Sequence, residues 1–175
     1  MKHLTPADYR QMPWANGRGV TVELLRAEDA AGALLWRLSM ARVVEDGPFS
    51  VLPGIERNLT VLSGPGFELE GEGLRLLCRP LEPVAFAGDV VLRAVGTGRG
   101  PSEDFNVMTA RSLPRPEVAV LRQGRDLPAG GMLALFALGR AEVEGRVLAR
   151  HDLVVTRQAA VVRPEDPVLM VRLAI

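Results

Sequence analysis

Histidine, cysteine and lysine are almost absent from this chain of 175 residues, and each shortage excludes a class of chemistry. His3 and His151 are the only imidazoles, one in each half of the chain, and neither has a His or Cys neighbour at ligand spacing. A tight mononuclear site for a borderline cation needs two or three such nitrogens, so no metal is expected. Cys78 stands alone, which rules out an intrachain disulfide and suits a reducing cytoplasm. Lys2 is the single lysine among 21 basic residues, and 21 acidic residues balance them. No basic field therefore exists to gather nucleic acid. Long apolar runs are missing too, the longest being 132–138, far below the roughly 20 residues that cross a bilayer. The N-terminal residues carry no signal-peptide pattern. A soluble, cytoplasmic protein without a membrane partner is expected. Neither a Gly-x-Ser-x-Gly elbow nor a phosphate loop occurs, and Gly17-Arg18-Gly19 lacks the third glycine of a dinucleotide fingerprint. No cofactor is expected.

What the chain has instead is apolar residues, at 47%, and turn formers, with 18 glycines and 13 prolines scattered along it. Short alternating or β-branched segments lie between them, at 20–25, 35–44, 58–62, 66–70, 74–78, 90–95, 105–110, 118–121, 132–138, 141–147, 153–156, 160–163 and 168–173. Strands at such spacing predict an all-β sandwich or barrel. One short N-terminal helix is expected after Thr5, with Pro6 at its first position, Asp8 against the positive end of its dipole and Pro13 as its limit. A weak internal repeat joins Phe67-Glu68-Leu69-Glu70-Gly71 to Ala141-Glu142-Val143-Glu144-Gly145, and Gly88-Asp89-Val90-Val91-Leu92 to His151-Asp152-Leu153-Val154-Val155. The stretch 111–117, with Pro114 and Pro116, separates the two copies. The expected architecture is a bicupin-like double jelly roll, with an N-terminal half over 1–112 and a C-terminal half over 113–175.

Five segments carry the polar residues that could form a site. The first, 14–23, contains Trp14, a glycine-rich turn with Asn16, and a strand whose one face bears Thr21 and Glu23. In the second, Trp36, Leu38 and Met40 alternate with Arg37 and Ser39. The third, Asp46-Gly47-Pro48-Phe49-Ser50 followed by Pro53-Gly54, is a rigid loop with an apolar plug at Phe49. In the fourth, Arg57 shares a strand face with Leu59 and Val61. A guanidinium on an apolar face is costly without a partner, so Arg57 calls for an internal carboxylate (Glu23 or Asp104) or an anionic ligand. An ordinary structural salt bridge stays open at this stage. In the fifth, Phe105 and Val107 point one way while Asp104 and Asn106 point the other.

These segments, in this order, resemble the HutD/Ves family of bacterial proteins. The resemblance rests on Trp14, Asn16, Gly17, Gly19, Thr21 and Glu23; on Trp36, Arg37 and Ser39; on Asp46-Gly47-Pro48-Phe49-Ser50, Pro53, Gly54 and Arg57; and on Asp104-Phe105-Asn106-Val107-Met108. It runs from residue 4 to about 110 and is weaker in the C-terminal third. It implies a metal-free, two-domain cupin-like fold and an accessory or limiting role in histidine utilisation. It also implies a polar pocket whose arginine holds a small carboxylate. On that reading Arg57 grips the carboxylate, Asn16, Thr21, Glu23, Arg37, Ser39, Asp104 and Asn106 complete the pocket, and Trp14 and Phe49 form walls or lids. Two alternatives stay open: a metal-independent isomerase or lyase using Glu23 or Asp104 for acid–base work, and a protein-interaction module. Homodimerisation is open as well.

Overall fold

A computed structural model describes residues 1–14, 17 and 19–175 of the chain. Its contacts divide it into two units, Arg10–Ser112 and a second made of Met1–Tyr9 with Leu113–Ile175. Almost every regular element is a strand. Strand β1 (Lys2–Leu4) leads into a single 3-10 turn at Pro6–Asp8, which replaces the expected N-terminal helix. Thr5 and Asp8 do join, the Thr5 amide and hydroxyl donating to the Asp8 carboxylate at 2.8 and 3.0 Å, but the Thr5 side chain makes no capping hydrogen bond to a backbone amide. The turn does not propagate because nothing on it is buried and Arg10–Pro13 (β2) is taken up as sheet. A helical nucleus without an apolar stripe to bury gains too little to extend.

The unit Arg10–Ser112 is a sandwich of two sheets. One sheet runs β2, β3 (Val20–Glu28), β4 (Leu34–Val43), β11 (Ser102–Ala110), β6 (Ile55–Ser63) and β9 (Val84–Ala87). The other runs β5 (Gly47–Pro48), β10 (Arg93–Val95), β7 (Phe67–Gly71) and β8 (Leu74–Cys78). Leu59 and Val61 of β6 meet Phe67, Leu69 and Ala94 of the smaller sheet in one buried cluster. Each of the four larger side chains contributes about 1.5–3 kcal/mol by leaving water.

The other unit repeats the two-layer plan. Its larger sheet is ordered β1, β17 (Leu153–Thr156), β14 (Met132–Ala137), β19 (Val168–Leu173) and β12 (Glu117–Leu121). Its smaller sheet is β13 (Arg125–Leu127), β18 (Ala160–Pro164), β15 (Ala141–Val143) and β16 (Arg146–Leu148). Leu133, Leu135, Val154 and Met170 of the first pack with Val143, Leu148 and Val162 of the second. The first residues of the chain fold with this unit: Lys2–Leu4 pair with Val155–Leu153, and the Tyr9 hydroxyl donates to the His151 carbonyl at 2.6 Å. His3 and His151 therefore belong to one unit, not one to each half. They are occupied separately, His3 against Asp152 at 3.0 Å and His151 stacked on Phe136.

The repeat has a physical basis in its hairpins. β7 and β8 turn through Glu72-Gly73, and β15 and β16 turn through Glu144-Gly145, with all four residues at positive φ. Two left-handed central residues match the twist of the flanking strands, and the Glu-Gly pair recurs for that reason. The equivalence is thus Gly73 with Gly145, two residues away from the sequence alignment. The expected strand 90–95 is short, because a turn at Gly88–Asp89 and irregular residues up to Leu92 precede the pairing of Arg93–Val95 with β7. Among the described residues no helix is long and apolar enough to cross a membrane.

Candidate functional site

Strands β4, β11 and β6 lie side by side, and their register places the polar residues of three separate segments on one inner face. Arg37 on β4 is opposite Met108 on β11, and Met108 is opposite Arg57 on β6. Ser39 pairs with Asn106 and Ala41 with Asp104. The register skips one residue of β6 between Glu103 and Asp104, and from Asp104 onward regular alternation keeps Asp104, Asn106 and Met108 on the same face. The intervening residues Trp36, Leu38, Met40, Phe105 and Val107 are buried on the opposite face.

Where the smaller sheet leaves this face uncovered, a cavity of about 550 Å³ opens. Arg37, Ser39, Ala41, Val43, Arg57, Asp104, Asn106 and Met108 form its floor, with Trp14 and Thr21 at one side and Pro48, Phe49, Ser50 and Leu52 at the other. Its rim is built rather than loose. Gly47–Pro48 pair with β10, the Phe49 amide donates to the Leu92 carbonyl at 2.9 Å, and the Leu52 amide to the Gly88 carbonyl at 2.7 Å. On the other side Trp14 Nε1 donates to Thr21 Oγ1 at 2.9 Å, and its ring lies over Gly19, where a Cβ would come within 2.8 Å of it.

Arg57 is only 6% exposed, yet no carboxylate among the described residues forms an ion pair with it. Its guanidinium donates to Asn106 Oδ1 at 2.8 Å and to the Ser50 carbonyl at 3.2 Å, while Nε has no partner. Phe49 and Phe86 each hold their rings about 5 Å from it, at 5.0 and 5.1 Å. Burial lowers its pKa to about 10, against the pull of Asp104, so it remains charged at neutral pH. Asn106 Nδ2 donates in turn to Asp104 Oδ1, and Asp104 Oδ2 is buried without a partner. Burial pushes the Asp104 carboxyl up to about 7, although the Arg57 charge and the Asn106 hydrogen bond pull it down. Arg37 is half-buried, donates to Met108 Sδ at 3.2 Å and keeps an unpartnered Nε. Burial pulls its pKa down, and the Glu23 charge acts the other way.

Of the ten residues expected at the site, eight line the cavity: Trp14, Thr21, Arg37, Ser39, Phe49, Arg57, Asp104 and Asn106. Asn16 lies outside the described residues. Glu23 does not line the cavity; it is buried on β3 opposite Ser39 and ion-paired with Arg26 at 3.8 Å. Nor is Glu23 or Asp104 a direct partner of Arg57, because Asn106 stands between Arg57 and Asp104. Phe86 and the Ser50 carbonyl were missing from the expected set. Phe86 comes from the short edge strand β9, and a main-chain oxygen leaves no signature in residue identity.

The HutD family model matches residues 6–169. The chain belongs to the HutD family. Among its curated relatives, Protein Ves of Citrobacter koseri is 37% identical over 117 residues, 65% of this chain, and the match spans 61% of that protein's length. The solved structure of HutD from Pseudomonas fluorescens SBW25, in a formate condition, superposes with a TM-score of 0.89 at 27% identity, covering 99% of this chain and 97% of that one. A Cupin 2 conserved barrel domain protein from Leptotrichia buccalis, at 10% identity and a TM-score of 0.59 over 94% of this chain and 96% of its own, shares the fold alone. The HutD-family chain is thus all-β and cupin-like.

Cupin barrels raise the question of a metal, and the donor set of this cavity does not fit one. Among the described residues the lining holds two guanidiniums and a single carboxylate, with no imidazole or thiol. Among the described residues no group of three or more His, Cys, Asp or Glu side chains is placed to hold an ion.

Proposed function

We propose that this HutD-family protein binds a small carboxylate in the cavity of the Arg10–Ser112 unit, as an accessory or regulatory component of histidine utilisation. One observation carries the reading. Arg37 and Arg57 flank Met108 in a single register row, face the same cavity, and have no ion-paired carboxylate among the described residues. Two strand spacings put their backbones roughly 10 Å apart, with Met108 between them. Two like charges in a partly dry cavity are unfavourable when empty, and an anion relieves that repulsion. The planar guanidinium fork suits a carboxylate, and the Nε of each arginine is buried without a partner. On this reading the protein works without metal or cofactor in the cytoplasm, and each two-sheet unit is one half of a bicupin.

A thermal-shift panel of urocanate, formiminoglutamate and formylglutamate, with glutamate and succinate as controls, tests the proposal. An acid held at 100 times its dissociation constant adds about 2.7 kcal/mol. For a domain of this size that raises the melting point by about 5–10 °C. Arg57→Lys and Arg37→Gln should each weaken the response, the first because a point charge cannot reproduce the fork. No shift from any acid at millimolar concentration would count against carboxylate binding. Consumption of a bound acid would replace the binding module with an enzyme.

A further inference from the structure

We propose that the cavity takes up its anion together with a proton, and that Asp104 is the residue that receives the proton. The inference rests on the carboxylate-binding reading and adds a proton-accepting role for a residue that need not touch the arginines. A fixed line of hydrogen bonds runs from the Ser50 carbonyl through Arg57 and Asn106 to Asp104. The Asn106 carboxamide cannot flip, because its oxygen is committed to Arg57 and its nitrogen to Asp104. At the end of the line Asp104, only 1% exposed, lines the cavity and keeps Oδ2 without a partner.

In the empty site the ionised Asp104 depends on the charge of Arg57, one carboxamide away. A carboxylate arriving between Arg37 and Arg57 competes for that charge and adds a second negative charge nearby, where water cannot screen it. Binding a proton from solvent removes the conflict. The new O–H bond forms on Asp104 Oδ2, the oxygen left without a partner. Asp104 Oδ1 continues to accept from Asn106, and the ligand stays ionised.

The other groups facing Asp104 do not supply this proton. Glu103, beside it on β11, only raises its proton affinity, and Arg57 on β6 lowers it. The Cys78 thiol of β8 is pushed up to about 12 and stays protonated. Arg37 on β4 is cationic and acts through its repulsion of Arg57. With the Asp104 carboxyl already at about 7, protonation near neutrality requires little further bias.

Calorimetric titration of the full chain with benzoate and with glutarate decides the matter, at pH 6 and pH 8 and in two buffers of different ionisation enthalpy. Both probes carry at least one ionised carboxylate throughout that range, and at pH 8, where the protons are counted, both are fully ionised. At pH 8 close to one proton should be taken up per anion, and affinity should fall by up to about tenfold per pH unit above neutrality. Asp104→Asn, a neutral isostere, should bind without proton uptake and with a flat pH profile. Binding without proton uptake, or an equal pH dependence in both proteins, overturns the proposal and leaves carboxylate binding standing. If neither acid binds either protein at either pH, both readings fall together. Should Asp104→Asn not fold, the proton count of the unmodified protein decides alone.

Discussion

Replacing Asp104 by Asn should change the pH dependence of stability in a direction and by an amount that its burial fixes. The carboxyl is raised from 3.8 to about 7, first by desolvation and slightly by Glu103, with Arg57 and Asn106 opposing. Between those values the folded protein holds a proton that the unfolded chain does not. Its stabilising effect is therefore complete below about pH 4, is lost as pH rises toward 7, and changes no further above that. Each pH unit inside the window corresponds to about 1.4 kcal/mol. From pH 5 to pH 8 two units of the window are crossed, so Asp104 should cost the protein about 3 kcal/mol. The asparagine variant escapes that cost. Relative to the unmodified protein, Asp104→Asn should gain about 3 kcal/mol in going from pH 5 to pH 8. Urea unfolding followed by tryptophan fluorescence suits the measurement, because Trp14 and Trp36 both lie in the unit that contains Asp104. Taking the difference between the two proteins cancels the titrations they share. A difference that stays constant from pH 5 to pH 8 would refute the burial argument.

Three further expectations follow from separate parts of the structure. Phe49→Ala removes a half-buried ring that packs on Phe67 and covers Arg57, and should lower the urea midpoint by the equivalent of about 1–3 kcal/mol with no change in slope; an unchanged midpoint would show that the rim contributes nothing. Gly73→Ala forces an L side chain to φ +75° with open space around it, so its cost should be pure backbone strain of about 1 kcal/mol. Elemental analysis of untagged protein should find no stoichiometric iron, manganese or zinc, and close to one equivalent of any of them would contradict the chemistry of the lining.

Much of the floor of the cavity was legible because period two is a property of a single strand. The alternation of Trp36, Leu38 and Met40 with Arg37 and Ser39 says which residues share a face before any neighbour is known, and Phe105 and Val107 do the same for Asp104 and Asn106. What one strand does not encode is its partner's register. Nothing local announces that Met108 falls between Arg37 and Arg57, or that β6 skips a residue opposite Glu103 and Asp104. Glu23 has the right parity, yet it is ion-paired with Arg26 and lies off the lining. The short strands β1, β2, β9 and β13 escaped for another reason. Three or four residues hold too little alternation to stand out, and tertiary pairing rather than propensity makes them strands. The N-terminal helix failed on the same principle, since Thr5 and Asp8 do join but their segment has nothing to bury.

The remaining question about Arg57 is whether it is a structural residue that happens to face a cavity. A structural arginine at this depth would normally close on a carboxylate, and the nearest candidate, Asp104, is kept one residue away by Asn106. Instead the charge is held by a carboxamide oxygen, a main-chain carbonyl and two aromatic faces, all of them neutral. Neutral partners offset the desolvation of a guanidinium without cancelling its field. A direct ion pair would have cancelled it. The arrangement thus preserves a fixed positive potential inside a cavity that already contains a second arginine. Stability alone gives no reason to keep that potential, since an apolar side chain of similar volume would cost less to bury. Binding an anion gives one.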